Sequence, residues 1–128
     1  MKLLLDTHAF LWFCLNDPQL SEQTLILIAN PANDIFVSPA SYWELAIKIG
    51  LRKYSLQQPV DTFFEDQISE NQFKILPIEP RHVAPLTKLD FHHRDPFDRL
   101  IIAQAMIEDI SIISADSAFD AYPVTRIW

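Results

Sequence analysis

The chain has one glycine, Gly50, and one cysteine, Cys14, among 128 residues. A single glycine excludes the phosphate-cradling loops GxGxxG and GxxxxGK[ST], which need several glycines so that bare backbone can approach the phosphates. The strained GxSxG turn of a serine hydrolase is absent as well. A single cysteine excludes an internal disulfide, the framework of a small secreted protein, and zinc sites built on several thiolates. Cys14 lies in the apolar run from Ala9 to Leu15 and reads as a buried thiol. That run is too short to cross a bilayer, and Asp6 cuts the opening Lys2-Leu3-Leu4-Leu5 with no small-residue cleavage site behind it. Cations are scarce too: 10 Lys and Arg stand against 17 Asp and Glu, for a net charge of −7. Bulk electrostatic attraction to nucleic acid is therefore unexpected, but a site that reaches phosphates through metal ions needs clustered acids. The reading is of a cytoplasmic protein with no membrane segment.

Hydrophobic residues make up 49% and charged residues 21%, the balance of a globular chain. Its length suits a single domain, 1–128. The unalternating Lys2 to Leu5 predicts a strand covered on both faces. A short helix follows from Thr7 to Leu15, and a second, capped by Ser21, runs from Glu22 to Ala29. Asp34 to Ser38 reads as strand two, and Ser38-Pro39 opens a third helix that Gly50 is expected to close. A helix through Glu70 starts near Pro59 and Asp61, and Lys74 to Ile78 is strand three. Pro77 puts that strand at a sheet edge. After a short helix from Pro80 to Thr87, a long one spans Pro96 to Glu108, followed by strand four at Ser111 to Ser114 and a short fifth strand at Thr125 to Trp128. Alternating strands and helices imply an α/β fold with a mostly parallel five-stranded sheet in the order 3-2-1-4-5, helices covering both faces. The order reverses between strands one and four, where ligands gather beyond the carboxyl ends.

Asp6 and Asp116 follow those two strands. Asp98 heads an apolar stripe on the long helix, which is apolar almost all round, so its carboxylate has no free surface to face. Asp95, just before Pro96, fits the N-cap role. Glu44 is placed as oddly within Tyr42-Trp43-Glu44-Leu45-Ala46-Ile47, where the plain alternative is a surface pair with Lys48. If Asp6, Glu44, Asp98 and Asp116 converge within about 5 Å, each pair of charges repels by about 3 kcal/mol at an effective dielectric near 20. Divalent cations convert that repulsion into attraction, and hard oxygen donors suit Mg²⁺ or Mn²⁺. Two such ions can activate water and stabilise the leaving oxygen of a phosphodiester.

His92 and His93 are adjacent, share no helix face and lack HxxxH spacing, so they read as polar loop residues. Lys48, Arg94 and Arg99 lie near the four acids in sequence and are candidates for RNA backbone contacts or plain surface charges. An aspartate-nucleophile phosphotransferase is disfavoured because His8 stands where a second Asp is needed.

The segments Asp6-Thr7-His8-Ala9-Phe10-Leu11-Trp12, Ser41-Tyr42-Trp43-Glu44-Leu45-Ala46-Ile47-Lys48, Asp95-Pro96-Phe97-Asp98-Arg99-Leu100-Ile101-Ile102-Ala103-Gln104-Ala105 and Ser114-Ala115-Asp116 resemble, in order, the PIN-domain ribonucleases, and within them the VapC-like toxins of bacterial toxin–antitoxin pairs. The resemblance implies a three-layer α/β/α domain that cuts single-stranded or looped RNA with Mg²⁺ or Mn²⁺. By motif position it carries the family's acids onto Asp6, Glu44, Asp98 and Asp116, with Ser114 and Asp95 in supporting places. It further implies a homodimer and a cognate antitoxin. Ser114 stands where threonine is usual, and Arg52 where a glycine often follows the third helix. A partner-binding module that keeps the fold without useful turnover is the alternative.

Overall fold

Leu3, Leu4 and Leu5 are wholly buried, because the strand they form, β1 (Lys2–Leu5), runs between two others. The computed structural model describes residues 1–128. Five parallel strands lie in the order β3-β2-β1-β4-β5, the expected sequence of neighbours. β2 is Asp34–Val37, β3 Lys74–Ile75, β4 Ser111–Ile113 and β5 Arg126–Ile127. The edge strands β3 and β5 are shorter than the sequence suggests. After Ile75 one more ladder bond forms, from Leu76 N to Val37 O, and Pro77 then has no N–H to offer.

Strand pleating sorts the core into two layers. Leu3, Leu5, Ile35, Val37 and Ile113 face one way, against Phe10, Leu45, Phe63, Phe64 and Phe73. Leu4 and Ile112 face the other way, against Ile101, Ile102, Ala105 and Phe119. The first layer carries α1 (Thr7–Cys14), α2 (Glu22–Ala29), α3 (Pro39–Gly50) and α4 (Val60–Asn71); the second carries α5 (Pro80–Val83), continued as a tight turn to Thr87, and α6 (Pro96–Glu108). This is the three-layer α/β/α arrangement. Burial pushes the Cys14 thiol up to about 12, which leaves it unreactive at neutral pH. No helix is long and apolar enough to cross a membrane.

Caps set most helix starts. Asp6, Ser21, Ser38 and Asp95 each accept a hydrogen bond from a backbone N–H in the first turn of the helix they precede, so those donors are not left orphaned. Gly50 does not close α3 as expected. It remains helical, and the left-handed residue is Arg52, with φ 58°, two residues further on. A side chain there costs local free energy. Arg52→Gly is therefore expected to stabilise the protein by roughly 0.5–1 kcal/mol, read as a higher urea midpoint with an unchanged slope.

Gln104 ties the second layer to the strand ends. From the middle of α6 its buried amide donates to Leu76 O and Pro77 O and accepts from the Ser38 hydroxyl. One side chain thus links α6, the end of β2 and the chain leaving β3, and fixes α6 above the sheet.

A candidate metal centre of carboxylates

Asp6 and Asp116 follow adjacent parallel strands, β1 and β4, so their backbones emerge together at the carboxyl edge of the sheet. Asp6 is buried and caps α1, its Oδ1 accepting from Ala9 N at 2.8 Å. Burial holds its carboxyl above the usual range, against hydrogen bonds from Ser114 and the Ala9 N–H, with Glu44 adding to the rise. Ser114 is buried and also receives the Asp116 N–H on its Oγ at 3.0 Å. Its hydroxyl lies between the ends of β1 and β4. Asp116 stays partly exposed, with Oδ1 accepting from Ala118 N at 2.9 Å.

Glu44 reaches the same place from α3, since the helix starts at the end of β2. It is 2% exposed, and Oε2 pairs with Lys48 Nζ at 2.6 Å, while Oε1 is buried with no hydrogen-bond partner. Lys48 is not the solvated i,i+4 partner of the plain reading, because the carboxylate it faces is inside the protein. Burial favours the neutral amine, but the hydrogen bond and charge of Glu44, joined by Asp95 and Asp98, hold Lys48 above its ordinary value.

Asp98 is the hub. Carboxylate oxygens of Glu44, Asp95 and Asp98 lie within 4.8 Å of one another, and so do donor atoms of His93, Asp98 and Asp116. Burial first, then Asp95, Asp6, Glu44 and Asp116, push the Asp98 carboxyl up to about 8. Asp95 belongs to the cluster and also caps α6, taking the N–H groups of Phe97 and Asp98 on Oδ1 at 2.8 and 3.1 Å. Crowded acids, the all-oxygen cluster of Glu44, Asp95 and Asp98 and the unpartnered Glu44 Oε1 together fit a hard divalent cation. The residues present can hold a metal.

Two residues read differently in space than in sequence. Arg99 is no surface cation available to RNA. It is 5% exposed and donates to Asp90 O at 2.7 Å, Leu89 O at 3.0 Å and the Tyr122 hydroxyl at 3.3 Å, with its guanidinium over the Phe91 ring. It pins the segment ahead of α6. Arg94, in that segment, is exposed. His93 is no mere polar loop residue, for Nε2 lies 2.7 Å from Asp116 Oδ2 and 3.3 Å from Asp98 Oδ2. Sequence reasoning missed it because adjacent histidines carry no helical or strand spacing. Its position two residues before the α6 cap was the available signal. His92 stays half-exposed, 3.9 Å from Asp90.

Residues 3–124 match the PIN domain. The chain belongs to the PIN domain family. Solved structures carry the same fold at low identity. VapBC2 from Rickettsia felis, bound to a DNA fragment from their promoter, gives TM-score 0.73 and 18% identity over 99% of this chain and 98% of that chain. FitAcB from Neisseria gonorrhoeae gives 0.69 and 20% over 98% and 96%. VapBC-1 from nontypeable Haemophilus influenzae gives 0.62 and 14% over 99% and 97%. No curated protein matches the sequence. Within the PIN domain of this chain, the acidic cluster lies beyond the carboxyl ends of the strands, next to the reversal of strand order between β1 and β4.

Proposed function

We propose that this PIN domain is an endoribonuclease dependent on Mg²⁺ or Mn²⁺ that cleaves single-stranded or looped RNA in the cytoplasm as the toxin of a toxin–antitoxin pair. The observation that carries the reading is the pair of acid-rich clusters that meet at Asp98, one with Glu44 and Asp95 and the other with Asp116 and His93, with a buried Glu44 oxygen left without a partner. Conformational stability alone disfavours such a group of acids. Membership of the PIN family and the likeness of fold to VapBC and FitAB structures support the toxin assignment. A cognate antitoxin and a homodimer belong to the same proposal.

In this reading Asp6, Asp98 and Asp116 hold the metal, and Glu44 holds metal or orients the attacking water. The divalent cation supplies charge neutralisation at the scissile phosphate and makes water a better nucleophile at neutral pH. The chain's own residues do the positioning. Asp6 is fixed by the α1 N-terminus and Asp95 by that of α6, so neither carboxylate must be ordered when substrate arrives. Lys48 pairs with Glu44 Oε2 and holds the side chain in place. Arg94 is exposed on the segment that enters the site and is free to meet a backbone phosphate. Arg99, buried and bonded to the segment ahead of α6, has no part in RNA contact.

Labelled RNA incubated with Mn²⁺, with and without chelator, tests the assignment. Cleavage that stops with chelator is expected. Absence of cleavage beside tight capture of a partner favours the non-catalytic binding module. Metal also leaves a signature without RNA: at a concentration a hundred times its dissociation constant, Mg²⁺ or Mn²⁺ is expected to stabilise the fold by about 2.7 kcal/mol. Thermal unfolding with and without the ion reads this directly, and an unchanged midpoint counts against metal binding.

A further inference from the structure

We propose that His93 is a positioning residue of the carboxylate centre: it donates from Nε2 to Asp116, beside Asp98, and never ligates the metal itself. The trio His93, Asp98 and Asp116, with donor atoms within 4.8 Å, looks at first like a mixed nitrogen and oxygen metal site. The other ring nitrogen decides against it. Asp95 N donates to His93 Nδ1 at 3.0 Å, so the Nδ1 lone pair is engaged and that atom carries no hydrogen. A neutral imidazole has one N–H. The proton therefore sits on Nε2 and points at Asp116 Oδ2, 2.7 Å away, with Asp98 Oδ2 beside it at 3.3 Å.

For Nε2 to bind a metal, the ring would have to move its proton to Nδ1. That N–H would then face the Asp95 N–H, donor against donor, at the residue that caps α6. The bond that fixes the ring thus closes the ligand role. Other contacts hold the ring where it is. The His93 backbone N–H donates to the Tyr122 hydroxyl at 2.8 Å, Tyr122 is itself bonded to Asp90 O and Arg99, and Phe119 packs against the imidazole edge to face.

The consequence is a tether between two acids from different elements. Asp98 rides on α6, and Asp116 follows β4. With Nε2–H bonded to Asp116 Oδ2 and 3.3 Å from Asp98 Oδ2, the Asp116 carboxylate is held beside Asp98 before any cation arrives, so less order is lost on binding. Such outer partners change metal affinity by about 10–100-fold when removed. The inference rests on the metal-centre reading above, but its first test does not need the metal.

In ¹⁵N-labelled full-length protein, long-range ¹H–¹⁵N spectra separate a proton-bearing ring nitrogen from a bare one, and the His93→Gln spectrum assigns the His93 signals. Metal-free protein is expected to show a protonated Nε2 and a bare Nδ1, and the pattern is expected to persist when Mg²⁺ is added. A bare Nε2 on adding Mg²⁺, or a protonated Nδ1 in the metal-free protein, overturns the proposal. Mn²⁺ affinity gives the second readout. His93→Ala is expected to weaken it about 10–100-fold, and His93→Gln, whose amide N–H reaches the same place, to recover most of that loss. A folded His93→Gln as weak as His93→Ala overturns the donor role, as does a folded His93→Ala with parental affinity. If the parent itself takes up neither ion, the metal reading fails, while the metal-free spectrum still decides the tautomer.

Discussion

Asp98→Asn is expected to abolish RNA cleavage and, in the same protein, to raise the melting temperature in the absence of metal. Loss of a direct ligand should reduce activity by more than about a hundredfold, since outer partners of metal sites alone account for about 10–100-fold. The stability effect has its own cause. Burial and neighbouring acids hold Asp98 at about 8, against an ordinary value of 3.8, so the folded state favours the neutral carboxyl. The stability tied to that proton is fully present below the unfolded value near 4 and is lost as pH rises through the folded value near 8. Asn has no proton to lose. The variant should match the parent at pH 4 and exceed it at pH 8 by at least about 1 kcal/mol, or roughly 3–6 °C. Excess Mg²⁺ should reverse the order, because only the parent gains from the ion. Melting curves at pH 4 and pH 8, with and without Mg²⁺, give all four comparisons beside the cleavage assay. An Asp98→Asn protein that cuts RNA at the parental rate defeats the nuclease assignment, and one no more stable at pH 8 defeats the electrostatic account.

Arg99→Met carries the largest expected loss of stability. Methionine fills much of the volume and keeps the contact with Phe91, but leaves the carbonyls of Leu89 and Asp90 without the donors they now have. A hydrogen bond from a charged donor contributes about 1.5–3 kcal/mol. Asp90 O keeps the Tyr122 hydroxyl, which limits the loss to roughly 2–4 kcal/mol in total. Urea unfolding measures it. Hydrogen exchange should also quicken in the segment ahead of α6, since Arg99 and Tyr122 are what tie it down. A variant as stable as the parent would mean that the guanidinium contributes nothing to the fold.

How much of this the sequence disclosed depends on the range over which each residue acts. α2 and α6 begin and end where the sequence puts them, because Ser21 and Asp95 bond to N–H groups two or three residues away. Strand order was legible for a similar reason: the apolar runs, the crossovers and Pro77 leave few arrangements open. The four acids were singled out because carboxylates at strand ends and on an apolar helix are locally anomalous. Arg99 and His93 carry no such anomaly. The partners of Arg99 are backbone carbonyls and a tyrosine 23 residues on, and His93 meets Asp116 across the same separation. Nothing in the adjacent residues distinguishes a guanidinium that faces solvent from one that anchors a loop. The end of α3 failed differently. Glycine is the usual bearer of a left-handed turn, so the only glycine drew the assignment, while Arg52 two residues later adopts the conformation.

The pairing of β1 with β4 sets Leu3 opposite Ser111. β1 therefore waits for a strand made more than a hundred residues later before the middle of the sheet can close. Asp6 is likewise made long before Ser114 and Asp116. A half-made chain has the first acids but no centre, so any chemistry proposed for that centre waits until β4 has joined β1.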